Sequence, residues 1–391
     1  MKQDENAFEY ISGMRRHFHE NPELSLKEFS TALKIESELD SIGIEHERVG
    51  ATGVIGYIKG TRGSLTGGTK RIIALRADTD ALPITEKSEH QYTSKNPGVM
   101  HACGHDGHTA ALLAAAKALQ SRRGEIEGDV RLFFQQGEES GLGAKQFIDA
   151  GKLDGVEAIL GIHVSPFLPS GKMAFMAGPA NASCDFFRIT VKGKQAHVSA
   201  PHLGVDAAYI ASAIVVNLQS IVARRMNPLD SVVVGVGLMR AGTAYNIVAG
   251  EAIMEGTTRS FTPELRKKTN ALVVSIAEQT ARLHGGEAEV AFEHSAAPLI
   301  NDARIAEHAR EIAAKIIGDE NALAKIPLSL TADDFADFLE LVPGVYAIVG
   351  TRTDDNPATA HPLHHEEFDI DEKALVSAAK LYEEFAIGYK G

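Results

Sequence analysis

Two short stretches carry residue types that can do chemistry together. MHACGHDGHTA (100–110) sets Cys103 and His105 two residues apart, with Gly104 between them permitting a tight turn. A thiolate and an imidazole at that spacing can reach one or two ions, and Zn²⁺ accepts mixed N, S and O ligands. GEES (137–140) adds Glu138 and Glu139 directly after the apolar run DVRLFFQ. Adjacent side chains there, immediately after a strand, point in different directions. One carboxylate then binds metal while the other faces a substrate water, the division that metal-assisted hydrolysis needs. His163 closes VEAILGIHV, and PLHHEEF supplies His364 and His365, with His361 just before. Cys103, His105, Glu139, His163 and one C-terminal histidine make a ligand set suited to a pair of divalent ions. The plainer readings are a buried cysteine, a solvated acidic pair and a core histidine, and no single member excludes them.

These residues need elements to hold them. RIIALR (71–76), DVRLFFQ (129–135) and VEAILGIHV (156–164) are β-rich runs separated by the helical patterns TAALLAAAKALQS and GAKQFIDAG. This alternation predicts an α/β fold with a mostly parallel sheet and helices on both faces. Sites in such folds gather at the carboxyl ends of strands. Asp78 and Asp80 follow the first run, Glu138 and Glu139 the second, and His163 the third. The middle reads β-α-β-β-α-β: DFFRITVKG, VDAAYIASAIVVNLQSIVA, DSVVVGVGLMR, EAIMEGTTRS, PELRKKTNALVVSIAEQTARLHG and EAEVAFEHS. That is the ferredoxin-like order, on a domain-sized span of roughly a hundred residues. The expected organisation is a discontinuous metal-binding catalytic domain over 1–182 and 296–391, with 183–295 inserted.

Composition narrows the function classes. The chain has 391 residues, enough for about two domains. A formal charge of -13 argues against nucleic acid or an anionic membrane as partner. The start, MKQDENAFEYISG, has neither the basic nor the apolar part of a secretory signal, and no uncharged apolar stretch is long enough to span a bilayer. Two cysteines, Cys103 and Cys184, are too few for a disulfide framework, which suggests the cytoplasm.

With the motifs assembled, the chain resembles the M20 metallopeptidase family, in its amidohydrolase branch of aminoacylases, hippurate hydrolases and auxin-conjugate hydrolases. The resemblance rests on RRHFHENPELS, LRADTDALPI, MHACGHDGHTA, GEES, GIHV, QAHVSAPHLGVDA, AGTAYNIV, GTTRSF and PLHHEEF, in that order along nearly the whole chain. It implies that Cys103 bridges two metals, with His105 and His163 completing one and Glu139 and His364 the other. It makes Glu138 the general base and acid. Asp78 stands where the wider family keeps a histidine ligand, so Asp78 and Asp80 fall in supporting positions. His197 would stabilise the oxyanion, across a dimer in the family, with help from Asn246. Arg259 would clamp the substrate carboxylate, a task for a planar bidentate donor. The inserted domain would serve as lid and dimerisation module, giving a homodimer or homotetramer.

The expected activity is hydrolysis of the amide bond of N-acyl amino acids with two divalent ions, drawn from Zn, Mn, Co or Ni. A metallo-dipeptidase is the near alternative. A thiol enzyme using Cys103 and a non-catalytic binding protein are the more distant ones. The chain departs from the branch at Gln136 and Gly137, Ala249, Asp333 in TADDF, and His365. None of these removes an implied ligand or base, but they could reshape a substrate pocket.

Overall fold

The structure, a computed structural model, describes residues 2–62 and 71–390. Their contacts divide the chain into two units. Unit 1 comprises Met1–Gly178, Asn301–Pro327 and Asp333–Gly391; unit 2 comprises Pro179–Ile300 and Leu328–Ala332.

Unit 1 is built on an eight-stranded sheet. Its centre is four parallel strands in the order Asp129–Gln135, Ile72–Asp78, Val156–Pro169, Gly344–Arg352. Two strands the motif reading did not anticipate, Glu45–Val49 and Gly53–Lys59, extend the sheet antiparallel beyond Asp129–Gln135. The central strands read as near-continuous apolar runs because both faces are covered. Leu75, Leu132, Phe133, Leu160 and Val345 have no exposed surface. The helix His105–Ser121 buries Leu112, Leu113 and Leu119 completely. Each such leucine stabilises the fold by about 1.5–3 kcal/mol relative to an exposed one.

Unit 2 carries a four-stranded antiparallel sheet in the order Glu287–Ala296, Cys184–Lys192, Glu251–Ser260, Val232–Ala241. Along Cys184–Lys192 the buried residues alternate, with Phe187, Ile189 and Val191 fully covered. Two helices join the strands in βαββαβ order. Asp206 caps Ala207–Ser220, its carboxylate accepting from the N–H of Ala208 at 3.0 Å. Thr262 caps Pro263–Leu283, with proline at the first helical position, where its missing N–H costs nothing. The first helix runs on through a π turn, and Ala207–Arg225 is long and apolar enough to cross a membrane by length and composition. Its uncharged part is shorter, because Arg224 and Arg225 end it. Its face of Ala207, Ile210, Ala211, Ile214, Leu218 and Ile221 lies in the apolar core of unit 2.

Candidate metal centre

Two strand ends, at Asp78 and Gln135, one helix start and His163 bring the chemistry of unit 1 together; His163 does not close its strand as expected but lies within it, since Val156–Pro169 runs on past it. The helix His105–Ser121 begins four residues before the pattern TAALLAAAKALQS, so His105 itself opens it. Gly104 turns the chain into that helix at φ 90°, in the left-handed region. A Cβ at Gly104 would stand 2.4 Å from Cγ2 of Val164, so glycine is the residue that lets Cys103 and His105 sit against the strand Val156–Pro169. On that strand, Nδ1 of His163 donates to the carbonyl of Val164 at 2.6 Å, leaving Nε2 free. Nε2 lies 3.4 Å from Sγ of Cys103.

The ligand atoms of Cys103, His105 and His163 lie within 4.8 Å of one another, and so do those of Cys103, Glu139 and His364. The thiol is common to both groups. Nδ1 of His105 is held by Asp80, 2.9 Å from its carbonyl and 3.2 Å from Oδ1. That carboxylate also accepts from Ser25 Oγ at 2.6 Å and from the N–H of Glu139 at 3.0 Å. Asp80 thus fixes one candidate ligand by its ring and a second by its backbone, the arrangement of a group behind metal ligands. His364 adopts φ 66° and donates its N–H to Ala102 at 2.7 Å. A non-glycine residue at such a φ carries strain of about 1–3 kcal/mol, which the surrounding contacts must hold. Its Nε2 reaches Oε1 of Glu139 at 3.3 Å.

The electrostatics fit a cation. Burial opposes protonation of His105, yet Asp78 and Asp80 outweigh it and push the ring up to about 10. Burial, reinforced by Glu139 and Glu138, pushes the Cys103 thiol well up, as expected of a thiol among carboxylates. Nε2 of His105 and Oε1 of Glu139 are buried with no hydrogen-bond partner. A divalent ion would satisfy both atoms and reverse the penalty on the thiolate, so this donor set suits it. His163 is held well below its usual range by burial and by His108, so its ring stays neutral, the ligating form.

The glutamate pair departs from the expected geometry. The strand ends at Gln135, and Glu138 and Glu139 lie in a turn. Their side chains do not diverge: Oε2 of Glu138 and Oε1 of Glu139 lie 3.9 Å and 4.0 Å from the same Nε2 of His105. Turn backbone lacks the two-residue alternation of a strand, which is why the expectation fails here. What separates the two carboxyls is their surroundings. Glu139 reaches His364, whereas burial and then Asp333, Glu139 and Asp334 push Glu138 well above the usual carboxylate range.

Some residues that build the site escaped the sequence reading. Glu28, fully buried, accepts from the N–H of Gly137 at 2.9 Å and so anchors the turn bearing both glutamates. Asp334 accepts from the N–H groups of Gly143 and Ala144 at 3.1 and 2.9 Å, fixing its far end. His108, by contrast, is expected from the sequence to support or pack at this corner, and it spans Asp78 and the strand, 2.6 Å from Oδ1 of Asp78 and accepting from the N–H of Val164 at 2.9 Å. Buried acid beside a polar loop is the signal that would have found Glu28 and Asp334.

His197, Asn246 and Arg259 all lie in unit 2. His197 and Asn246 share a paired segment, where the N–H of Val198 donates to the carbonyl of Asn246 at 3.1 Å. Nδ1 of His197 accepts from the N–H of Ser199 at 3.1 Å, so its proton sits on the exposed Nε2. Arg259, half-buried on the strand Glu251–Ser260, lies 3.5 Å from the carbonyl of Leu330.

Known proteins resemble the chain along nearly its whole length. The model of peptidase family M20/M25/M40 matches residues 74–387. N-acetyl-L-cysteine deacetylase of Bacillus subtilis is 39% identical over 375 residues, covering 95% of this chain and 86% of the relative. IAA-amino acid hydrolase ILR1-like 5 of Arabidopsis thaliana is 35% identical over 390 residues, covering 98% and 88%. A solved Bacillus subtilis protein, described as a dinuclear metal binding peptidase from the M20 family, superposes with a TM-score of 0.84 at 35% identity over 98% of each chain. The chain therefore belongs to peptidase family M20/M25/M40, as a metal-dependent hydrolase of amide bonds.

Proposed function

We propose that this chain hydrolyses the amide bond of N-acyl amino acids, with two divalent ions shared by the Cys103 thiolate. The observation that carries the reading is that two ligand groups meet at one sulfur, with Glu138 beside them. His105 and His163 would complete one ion, Glu139 and His364 the other, and Asp80 would hold the ligands in place. When bound, the ions supply Lewis acidity, lowering the pKa of water and polarising an acyl oxygen. Zn, Mn, Co and Ni all suit such donors.

The chain's own residues do the rest. Glu138 takes a proton from the attacking water and returns it to the amine nitrogen as the C–N bond breaks, so that OH ends on the acyl carbon and H on nitrogen. The Nε2–H of His197, assisted by Asn246, donates to the oxyanion. The Arg259 guanidinium pairs with the substrate carboxylate. Unit 2 acts as lid and as dimer or tetramer contact, which brings His197 to a partner's site.

Two relatives, named for N-acetylcysteine and for amino-acid conjugates, support the acyl side of the reading. The solved neighbour described as a peptidase favours a second reading, a small dipeptidase that uses the same metal residues. A panel of N-acyl amino acids and dipeptides, assayed after loading with each ion, separates the two. Glu138→Gln should lower kcat on the preferred substrate by about 10²–10⁴-fold with metal content unchanged. Full activity in that variant would reject the assignment of Glu138.

A further inference from the structure

A second gathering of imidazole and carboxylate lies elsewhere in unit 1, made of residues the reaction does not use. His19 ends the helix Lys2–Glu20, and Glu86 and His90 come from the loop beyond the strand Ile72–Asp78. The side chain of His19 is fully buried and that of Glu86 is 2% exposed, while His90, at 17%, gives access from outside.

Nδ1 of His19 lies 2.7 Å from Oδ2 of Asp106 and donates to it, which leaves Nε2 as the ring nitrogen that faces Glu86. That Nε2 is 3.1 Å from Oε1 of Glu86, and Nε2 of His90 is 3.1 Å from the same oxygen. All three atoms lie within 4.8 Å of one another. Ligands of tetrahedral zinc stand roughly 3.3 Å apart, given Zn–N and Zn–O bonds of about 2.0–2.2 Å.

The rings are held ready. Tyr92 stacks on His90 with centroids 3.9 Å apart at 20°, and the guanidiniums of Arg15 and Arg16 cover the Tyr92 ring at 4.7 and 5.0 Å. Oδ1 of Asp106 has no hydrogen-bond partner, nor does either ring nitrogen of His101, whose ring centroid is 6.4 Å from that of His19. Asp106 and His101 are each 1% exposed. Three carboxylates, Asp106, Asp369 and Glu372, meet two guanidiniums, Arg15 and Arg16, while Glu86 meets only His19 and His90 among these groups. Burial and Arg15 oppose protonation of His19, yet Asp106 and Glu86 outweigh them and raise the ring above its usual range, so the cluster already attracts positive charge and a divalent ion would take the place of that proton.

We propose that Nε2 of His19, Oε1 of Glu86 and Nε2 of His90 form a further divalent-cation site of the zinc type, with Asp106 orienting His19. Carboxylate–imidazole–metal order of this kind raises ligand basicity and fixes ring orientation. The ion ties the first helix and the loop after Ile72–Asp78 to the start of His105–Ser121. This assignment does not depend on the proposed reaction.

The test is zinc content per chain after equilibrium dialysis against zinc, read by elemental analysis. It compares the full chain with His90→Leu and Glu86→Gln, and repeats the comparison in a Cys103→Ala background. The expected result is a loss of about one zinc equivalent on either substitution, in both backgrounds. Zinc should also raise the melting temperature of Cys103→Ala and not that of Cys103→Ala/His90→Leu. Glu86→Gln preserves shape, so it guards against a folding artefact at His90, and circular dichroism checks both variants. Equal zinc content with and without His90, or a melting response that survives His90→Leu, overturns the proposal.

Discussion

The two units pair similar elements with opposite interiors. Among the described residues of unit 2, Asp185 is the one buried charged side chain, and Arg266 answers it at 2.6 Å. Unit 1 buries Arg15, Glu28, Arg76, Asp78, Asp80, Asp106, Asp333 and Asp334. Arg76 alone meets Asp78 at 2.6 Å, Asp333 at 3.2 Å and Asp334 at 3.1 Å. Buried ion pairs rarely add net stability, because desolvation offsets much of their attraction. Their crowding in unit 1 is therefore best explained by positioning: each of these acids ends on a ligand, on a loop that bears one, or on the arginine behind them. Unit 2 spends its interior on apolar packing and leaves its polar residues, His197 and Asn246 among them, at the surface.

This contrast can be broken or sharpened by experiment. The largest effect should come from chelation. It should abolish activity, restored by added divalent ion, and hydrogen exchange should rise around Cys103–His105 and Glu138–Glu139 while the core of unit 2 stays protected. Uniform loss of protection would erase the distinction between the units. Next comes His197→Ala, expected to lower kcat by about 10²–10³-fold at constant metal content. An unchanged kcat would confine the chemistry to unit 1 and make the contrast absolute. Asp80→Asn should weaken metal affinity about 10–100-fold, measured by competition with a chromophoric chelator. If affinity holds, Asp80 positions nothing. The smallest effect belongs to Ile214→Val in the core of unit 2. Denaturant unfolding should show a cost of about 0.5–1.5 kcal/mol, with metal content untouched.

Much of the fold was legible because its elements bury faces of definite period. The strand Asp129–Gln135 coincides with DVRLFFQ, and the βαββαβ order follows the apolar runs of the middle segment. The proposed ligands were legible because each sits in a short motif of ligand-type residues, whether at a helix start as His105, within a strand as His163, or in a turn as Glu139 and His364. The antiparallel strands Glu45–Val49 and Gly53–Lys59 were not, since charged and glycine residues dilute their pattern. Convergence of Glu138 and Glu139 on one imidazole was hidden because it depends on a turn, and on Glu28, more than a hundred residues away, holding that turn. The His19–Glu86–His90 cluster was invisible for the same reason: its members are ordinary polar residues until the fold gathers them.

Exposure is uneven among the proposed ligands. The His105 side chain is fully buried and that of Glu139 13% exposed, whereas the side chain of His364 is 49% exposed. Solvent and competing chelators therefore meet the His364 side first. The two ions should differ in exchange rate even where their equilibrium affinities match. The one on Glu139 and His364 would leave early and return fast, and the one on His105 and His163 would behave as a slow, nearly permanent part of the protein.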